Sequence, residues 1–260
     1  MVKLGIICGT GFSEGLFEER EEIQVKTPYG KTTSPLIKGK IEGVESYVII
    51  RHGKGHIYNP TNVNYKANID ALKKVGCTHI LAITAVGSLR RYIKIGDIVF
   101  PNQLIDRTTK RDQTFYTGKK VCHISVAEPF CSKLRKLLSD VAEKLRIRYH
   151  KKATLLVIEG PRFNTRAESI LYRKQGCDII NMTTVPEAVL AREAAMCYQP
   201  IAAVTDYDSF LRRKKPVSTE DVLKRMKKNV EKVQKIIKNA VKKIEDWDCY
   251  CKKAIEEAFI

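Results

Sequence analysis

The sequence predicts a single α/β domain, a largely parallel or mixed β-sheet flanked by helices. Short runs rich in Val, Ile and Leu alternate with longer stretches of helical spacing, the pattern of a sheet wrapped by helices. The 260 residues suffice for a full core, and Pro and Gly are scattered with no linker to divide the chain, so 1–260 is read as one unit, the helical segment from about 217 included. The longest apolar stretches, 80–86 and 155–158, are far shorter than the roughly 18 to 20 residues of a bilayer span, and read as buried strands.

In order, strands are expected at 4–8, 47–51, 79–85, 97–100, 153–159, 178–181 and 201–206. Each is a short apolar or β-branched run that stops at a polar or glycine-containing segment. Helices are expected between and after them at 61–75, 131–144, 165–175, 186–196 and 219–243. The last begins with Ser218 or Thr219 as N-cap and with Glu220 and Asp221 in its first turn. Along 222–244 lysines interleave with Val, Leu and Ile at helical spacing, the outer side of an amphipathic helix.

The formal net charge is +18, with Lys and Arg concentrated in 107–120, 132–152 and 211–243. Such a balance fits either a nucleic-acid or other anionic partner or a solvated basic face. With no aromatic platform or zinc-finger spacing beside the charge, the solvated face is preferred and nucleic acid stays the lesser alternative. The N-terminal run 1–8 is too short for a secretion signal before Gly9 and Gly11 interrupt it, so the chain is expected in the cytoplasm, with the nucleus open as a second compartment. Eight dispersed cysteines form no CxxC pair with zinc spacing and read as small buried hydrophobes. Cys249-Tyr250-Cys251 stands apart, as two exposed reduced thiols or, alternatively, a disulfide or redox pair.

Ligands of open α/β sheets sit at the carboxyl ends of the strands. Four such ends carry chemistry. After the first strand, Cys8-Gly9-Thr10-Gly11 can turn tightly and present N–H groups and a hydroxyl to an anion, although a plain turn reads equally well. It is neither a dinucleotide fingerprint nor a Walker loop. Arg51, with His52 beside it, offers a guanidinium suited to a dianionic phosphate. Thr84 and Ala85, before Gly87-Ser88, add a hydroxyl and a backbone N–H. Thr205-Asp206-Tyr207-Asp208 sets two carboxylates two residues apart, on one side of an extended chain. Like charges in a partly dry cleft raise at least one pKa, which suits a general acid for a departing purine; the plain alternative is a solvated turn.

Together these motifs resemble the methylthioadenosine phosphorylase branch of the trimeric purine nucleoside phosphorylases. The resemblance runs from Gly5 to about Leu223 and includes Arg51-His52-Gly53-Lys54-Gly55-His56, Val63-Asn64-Tyr65-Lys66-Ala67-Asn68, Ile105-Asp106-Arg107-Thr108, Ala127-Glu128-Pro129-Phe130, Ile158-Glu159-Gly160-Pro161-Arg162-Phe163, Asn181-Met182-Thr183-Thr184-Val185-Pro186-Glu187 and Thr205-Asp206-Tyr207-Asp208. It implies the single-domain nucleoside phosphorylase fold and phosphorolysis of a 6-aminopurine nucleoside bearing a 5'-thio substituent. It implies a phosphate site at Thr10, Arg51, His52, Thr84, Ala85 and Thr183, and a ribose site at Met182 and Phe163. Asp206 is implied as the group that hydrogen-bonds or protonates purine N7, and Asp208 as acceptor of the 6-amino group. Relatives acting on 6-oxopurines differ there, typically with Asn for the first carboxylate. Val222 and Leu223 are implied as an apolar wall for the methylthio group, with His123 supplied by the neighbouring subunit of a homotrimer. Inorganic phosphate is a co-substrate, and no metal or organic cofactor is expected.

Three departures qualify the match. Cys8 stands where relatives usually have glycine and is expected to crowd the phosphate loop. Asn164 replaces a frequent serine, and Thr219 a more apolar residue near the methylthio wall.

Overall fold

A computed structural model of the chain describes residues 2–9, 12, 15–17, 19–211 and 218–260. The elements in order are β1 (Leu4–Cys8), β2 (Arg20–Ile23), β3 (Leu36–Ile41), β4 (Val44–Ile50), α1 (Tyr65–Lys74), β5 (His79–Ser88), β6 (Ile98–Val99), β7 (Gln103–Arg107), α2 (Ser132–Lys144), β8 (Tyr149–His150), β9 (Thr154–Ile158), α3 (Arg166–Lys174), β10 (Ile179–Asn181), α4 (Thr184–Glu193), β11 (Cys197–Tyr207), α5 (Thr219–Val241) and α6 (Tyr250–Lys253). They form the expected α/β unit on one mixed sheet. Its main path is β2-β3-β4-β1-β5-β10-β9-β7, and β11 pairs with β5 and leads through β6 to β8.

The middle of the sheet is parallel and apolar on both faces, as a strand covered on both sides must be. β1 pairs in parallel with β4 and β5, and β5 in parallel with β11. Alternation sorts the side chains: Leu4, Ile6, Cys8, Leu81, Ile83, Ile201 and Ala203 pack against Leu134 and Leu138 of α2 and Val233, Ile236 and Ile237 of α5. On the opposite face Ile7, Ile49, Ile80, Ala82, Ala202 and Val204 meet Ile69 and Leu72 of α1 and Ala188 and Leu190 of α4. The outer side of α5, with Lys224, Lys227, Lys228 and Lys235, is exposed, as the amphipathic pattern predicts.

The elements that escaped the sequence have weak patterns. β2 is Arg-Glu-Glu-Ile at the sheet edge, with its first three side chains exposed. β3 interrupts its apolar residues with Lys38, Gly39 and Lys40. β7 and the two-residue β8 are half-buried. β5 and β11 run on to Ser88 and Tyr207, past the expected ends, because they pair with each other along their whole length. α1 starts at Tyr65, not at 61, because the Asn64 side chain accepts from Ala67 N and caps it there, while Asn59 Oδ1 accepts from Thr61 N and Asn62 N in a preceding turn. Among the described residues no helix is long and apolar enough to cross a membrane.

Candidate active site

The switch point of the topology lies at the carboxyl half of β5. β1 follows β5 only as far as the Ile7–Ala82 pair, and beyond it the flank is taken by β10, antiparallel, at Gly87 and Ser88. Arg51, directly after β4, is 2 % exposed; its backbone N–H donates to Cys8 O at 2.8 Å. Its guanidinium donates from Nη1 to Ile83 O at 2.9 Å, from Nε to Glu187 Oε1 at 2.5 Å and from Nη2 to Glu187 Oε2 at 3.0 Å. Burial opposes the Arg51 charge, but the attraction and hydrogen bonds of Glu187 outweigh it and raise the pKa. Tyr198 donates to the same Glu187 Oε2. The bidentate face of Arg51, read from the sequence as a phosphate fork, is thus committed to Glu187, leaving two of its five N–H groups beyond these bonds.

Beside it, the Asn181 side chain donates to Thr84 Oγ1 at 2.9 Å and to Thr184 Oγ1 at 2.7 Å, tying the ends of β5 and β10 to the start of α4. Thr84 and Thr183 are buried and Ala85 half-buried. The His52 Nδ1 lies 2.9 Å from Tyr58 O, so it carries the proton, and the ring stacks on His56 at 4.2 Å. Burial, with the Arg51 charge second, lowers its pKa to about 4. The ring is neutral at neutral pH, and its Nε2 accepts rather than donates.

At the far end of β11 the register with β5 shifts between Val204 and Asp206, a bulge at Thr205. Asp206 and Asp208 are both buried and both face Gly87, where a Cβ would stand 3.1 Å from Asp206 Oδ1 and 3.5 Å from Asp208 Cβ. The Thr205 hydroxyl is 2.8 Å from Asp206 Oδ2, and Asn164 Nδ2 donates to Asp208 Oδ2 at 3.2 Å. The same-side placement of the two carboxylates expected from their spacing is therefore present.

Arg111 organises the next turn of chain. Its side chain is 1 % exposed and donates from Nη1 to Met182 O and Val185 O, each at 2.6 Å, and from Nη2 to Glu159 O at 2.6 Å; Nε pairs with Glu159 Oε1 at 3.0 Å. Val185 is non-helical (φ −103, ψ 130), so its carbonyl is turned out of the α4 ladder and Arg111 satisfies it. Burial opposes ionisation of Glu159, but the N–H of Thr109, the Thr61 hydroxyl and Arg111 bring its pKa down to about 2. Met182 is half-buried against Gly160, whose φ of 67° lies in the left-handed region that favours glycine and where a Cβ would stand 2.5 Å from the flexible Met182 Sδ. Phe163 is 42 % exposed, Leu223 58 %, and Val222 half-buried. His123 is exposed, and its backbone N–H donates to Ala258 O at 2.7 Å.

Several expectations change. Thr10 and Gly11 lie outside the described residues. Cys8 is fully buried in the core facing α2 and α5, with Sγ toward Ile49 O, and burial pushes its thiol up to about 12. Asn164, singled out as a departure from a frequent serine, is a buried partner of Asp208. Arg111, which the sequence places in a basic surface run, is among the most buried charges. Cys249 and Cys251 are not exposed: the first is half-buried and the second buried. Glu187, Gly87 and Asn181 were missed as site groups although each stands in a quoted motif; nothing local in them reports which strand end they would face.

The model for the phosphorylase superfamily matches residues 3–242. An S-methyl-5'-thioadenosine phosphorylase of Danio rerio is 52% identical over 95% of this chain and 91% of its own length. One from Pyrococcus horikoshii is 49% identical over the full length of both. The structure is also similar, at TM-score 0.92 and 41% identity over 98% of this chain and 96% of the other, to a methylthioadenosine phosphorylase from Schistosoma mansoni solved in complex with adenine.

Proposed function

The chain belongs to the phosphorylase superfamily, and we propose that it cleaves S-methyl-5'-thioadenosine with inorganic phosphate to adenine and 5-methylthioribose 1-phosphate. The observation that carries the choice of base is the pair of buried carboxylates, Asp206 and Asp208, both facing Gly87 at the ends of β11 and β5. A protonated carboxyl can give its proton to N7 and an ionised one accept from an exocyclic amine, whereas a 6-oxo group facing the ionised carboxylate would be repelled. In this reading Asp206 donates to N7 as the glycosidic bond stretches, and Asp208, oriented by Asn164, accepts from the 6-amino group.

Phosphate is held by Thr10, Arg51, His52, Thr84, Ala85 and Thr183. The buried ion pair with Glu187 fixes the Arg51 plane before phosphate arrives, so the donors need little reorganisation. A neutral His52 accepts from a phosphate hydroxyl at Nε2, which steers the unprotonated oxygens toward the donors. The anion stabilises the cationic ribose and then captures its anomeric carbon. Met182 and Phe163 lie along the sugar; Val222 and Leu223 receive the methylthio group, and His123 comes from a neighbouring subunit of a homotrimer. The exposure of Leu223 and Phe163 in the single chain supports a wall that ligand or neighbour covers. The reaction as drawn calls on no organic cofactor. The test is adenine release from methylthioadenosine with and without phosphate, beside adenosine and inosine. Phosphate-dependent release exceeding turnover of the other two is expected; no release from any of them overturns the proposal.

A further inference from the structure

The fold gathers four cysteines that stand far apart in sequence. Cys131 caps α2, Cys197 opens β11, and Cys249 and Cys251 flank the start of α6. Their Sγ atoms all lie within 4.8 Å of one another, with Cys197 Sγ 3.2 Å from Cys249 Sγ. Three are buried and Cys249 is half-buried. All four are free thiols in this structure. A tetrahedral zinc thiolate centre has Zn–S bonds of about 2.3 Å and hence sulfur–sulfur edges of about 3.8 Å, so closing the longest separations takes a contraction of about 1 Å.

We propose that these four thiols form a structural zinc site. Four protein sulfurs complete a tetrahedral shell with no open position, the mark of a structural rather than a catalytic centre, and soft thiolates select zinc among common divalent ions. Binding replaces the four thiol protons, giving a Zn(Cys)4 centre of net charge 2− and releasing four protons. Lys252 and Lys253 adjoin Cys251 but pair with Asp246 and Asp248, and the Arg192 guanidinium lies 5.4 Å from the Tyr250 ring centroid. The centre sits at the amino end of β11, about 30 Å along the strand from Asp206 at a rise of about 3.3 Å per residue. Its consequence is architectural. It bolts the chain after α5 to the sheet, and that tail in turn bridges Phe259 to Cys122 and accepts from His123 N at Ala258 O.

The full-length protein, purified under thiol reductant, is analysed for bound metal, and the metal-stripped protein is titrated with Co2+. About one zinc per chain is expected, and a Co2+ derivative with the intense visible d–d bands and sulfur charge-transfer band of tetrahedral thiolate ligation. Cys251→Ser is expected to lose most of the zinc and Cys122→Ser, outside the cluster, to keep it. The Co2+ spectrum on the unaltered chain stands even if Cys251→Ser fails to fold. Reduced protein that takes up neither metal, cysteines joined to each other with no metal bound, iron in place of zinc, or zinc retained in Cys251→Ser would each overturn the assignment.

Discussion

Replacing Glu187 by Gln keeps the shape of the side chain and removes the charge that holds Arg51. Two of the three bonds recorded for the guanidinium end on this carboxylate, and both side chains are nearly inaccessible, at 3 % and 1 %. Unit charges about 3 Å apart at an effective dielectric near 20 attract by about 5 kcal/mol. Measured costs of breaking such buried pairs, about 3 to 5 kcal/mol, agree, because the surviving charge is left in a dry site. At about 2 °C per kcal/mol for a chain of this size, Glu187→Gln should melt about 6 to 10 °C below the parent. Phosphate should then restore part of the loss, since it supplies the negative charge that Arg51 lacks, and the phosphate-induced rise in Tm should be larger in the variant than in the parent. Differential scanning fluorimetry across a phosphate series measures both quantities. An unchanged Tm, or a variant no more responsive to phosphate than the parent, would refute the view that Glu187 neutralises and aims Arg51.

Other perturbations address separate parts of the site. Asp206→Ala should lower kcat/KM for methylthioadenosine by about 10²- to 10⁴-fold with little change in Tm, the span usual for a lost general acid; retention of normal turnover by steady-state kinetics would remove that role. In Gly87→Ala the new Cβ falls 3.1 Å from Asp206 Oδ1, so adenine affinity measured calorimetrically should drop while the fold, read by circular dichroism, persists. Arg111→Met frees Glu159 and the carbonyls of Met182 and Val185, and should raise KM for the nucleoside more than for phosphate; equal effects would count against a role on the ribose side. Because His52 has a folded pKa of about 4, below its ordinary 6.5, the folded state binds fewer protons between those values. Its contribution to stability is complete above pH 6.5 and lost as pH falls toward 4, so the slope of Tm over that window should be shallower in His52→Asn.

The sequence by itself determined the α/β class, the apolar central strands and the chemistry available at their ends. Short apolar runs at 4–8 and 201–206 and helical spacing at 219–243 are local properties that survive without knowledge of partners. The spacing of Asp206 and Asp208 likewise placed both carboxylates on one side, because two residues of extended chain return to the same face. Edge and half-buried strands such as β2 and β7 stayed hidden, since their pairing energy comes from a neighbouring strand rather than from their own pattern.

Tertiary structure decided everything that depends on two distant segments meeting. Arg51 and Glu187, 136 residues apart, become one buried pair only when α4 packs beside the end of β4. Arg111 reads as one cation among many in a basic run, and only the closure of the chain around it shows a buried clamp on Met182 and Val185. That the Cys8 Sγ lies in the core facing α2 and α5 is likewise decided by the helices that pack on that face of β1. Cys131, Cys197, Cys249 and Cys251 carry no recognisable ligand spacing, because their proximity is made by a helix cap, a strand start and a C-terminal tail converging at one end of the sheet. Local patterns record the face a residue occupies; which other face it meets is set by long-range packing, and at this site packing chose the partners.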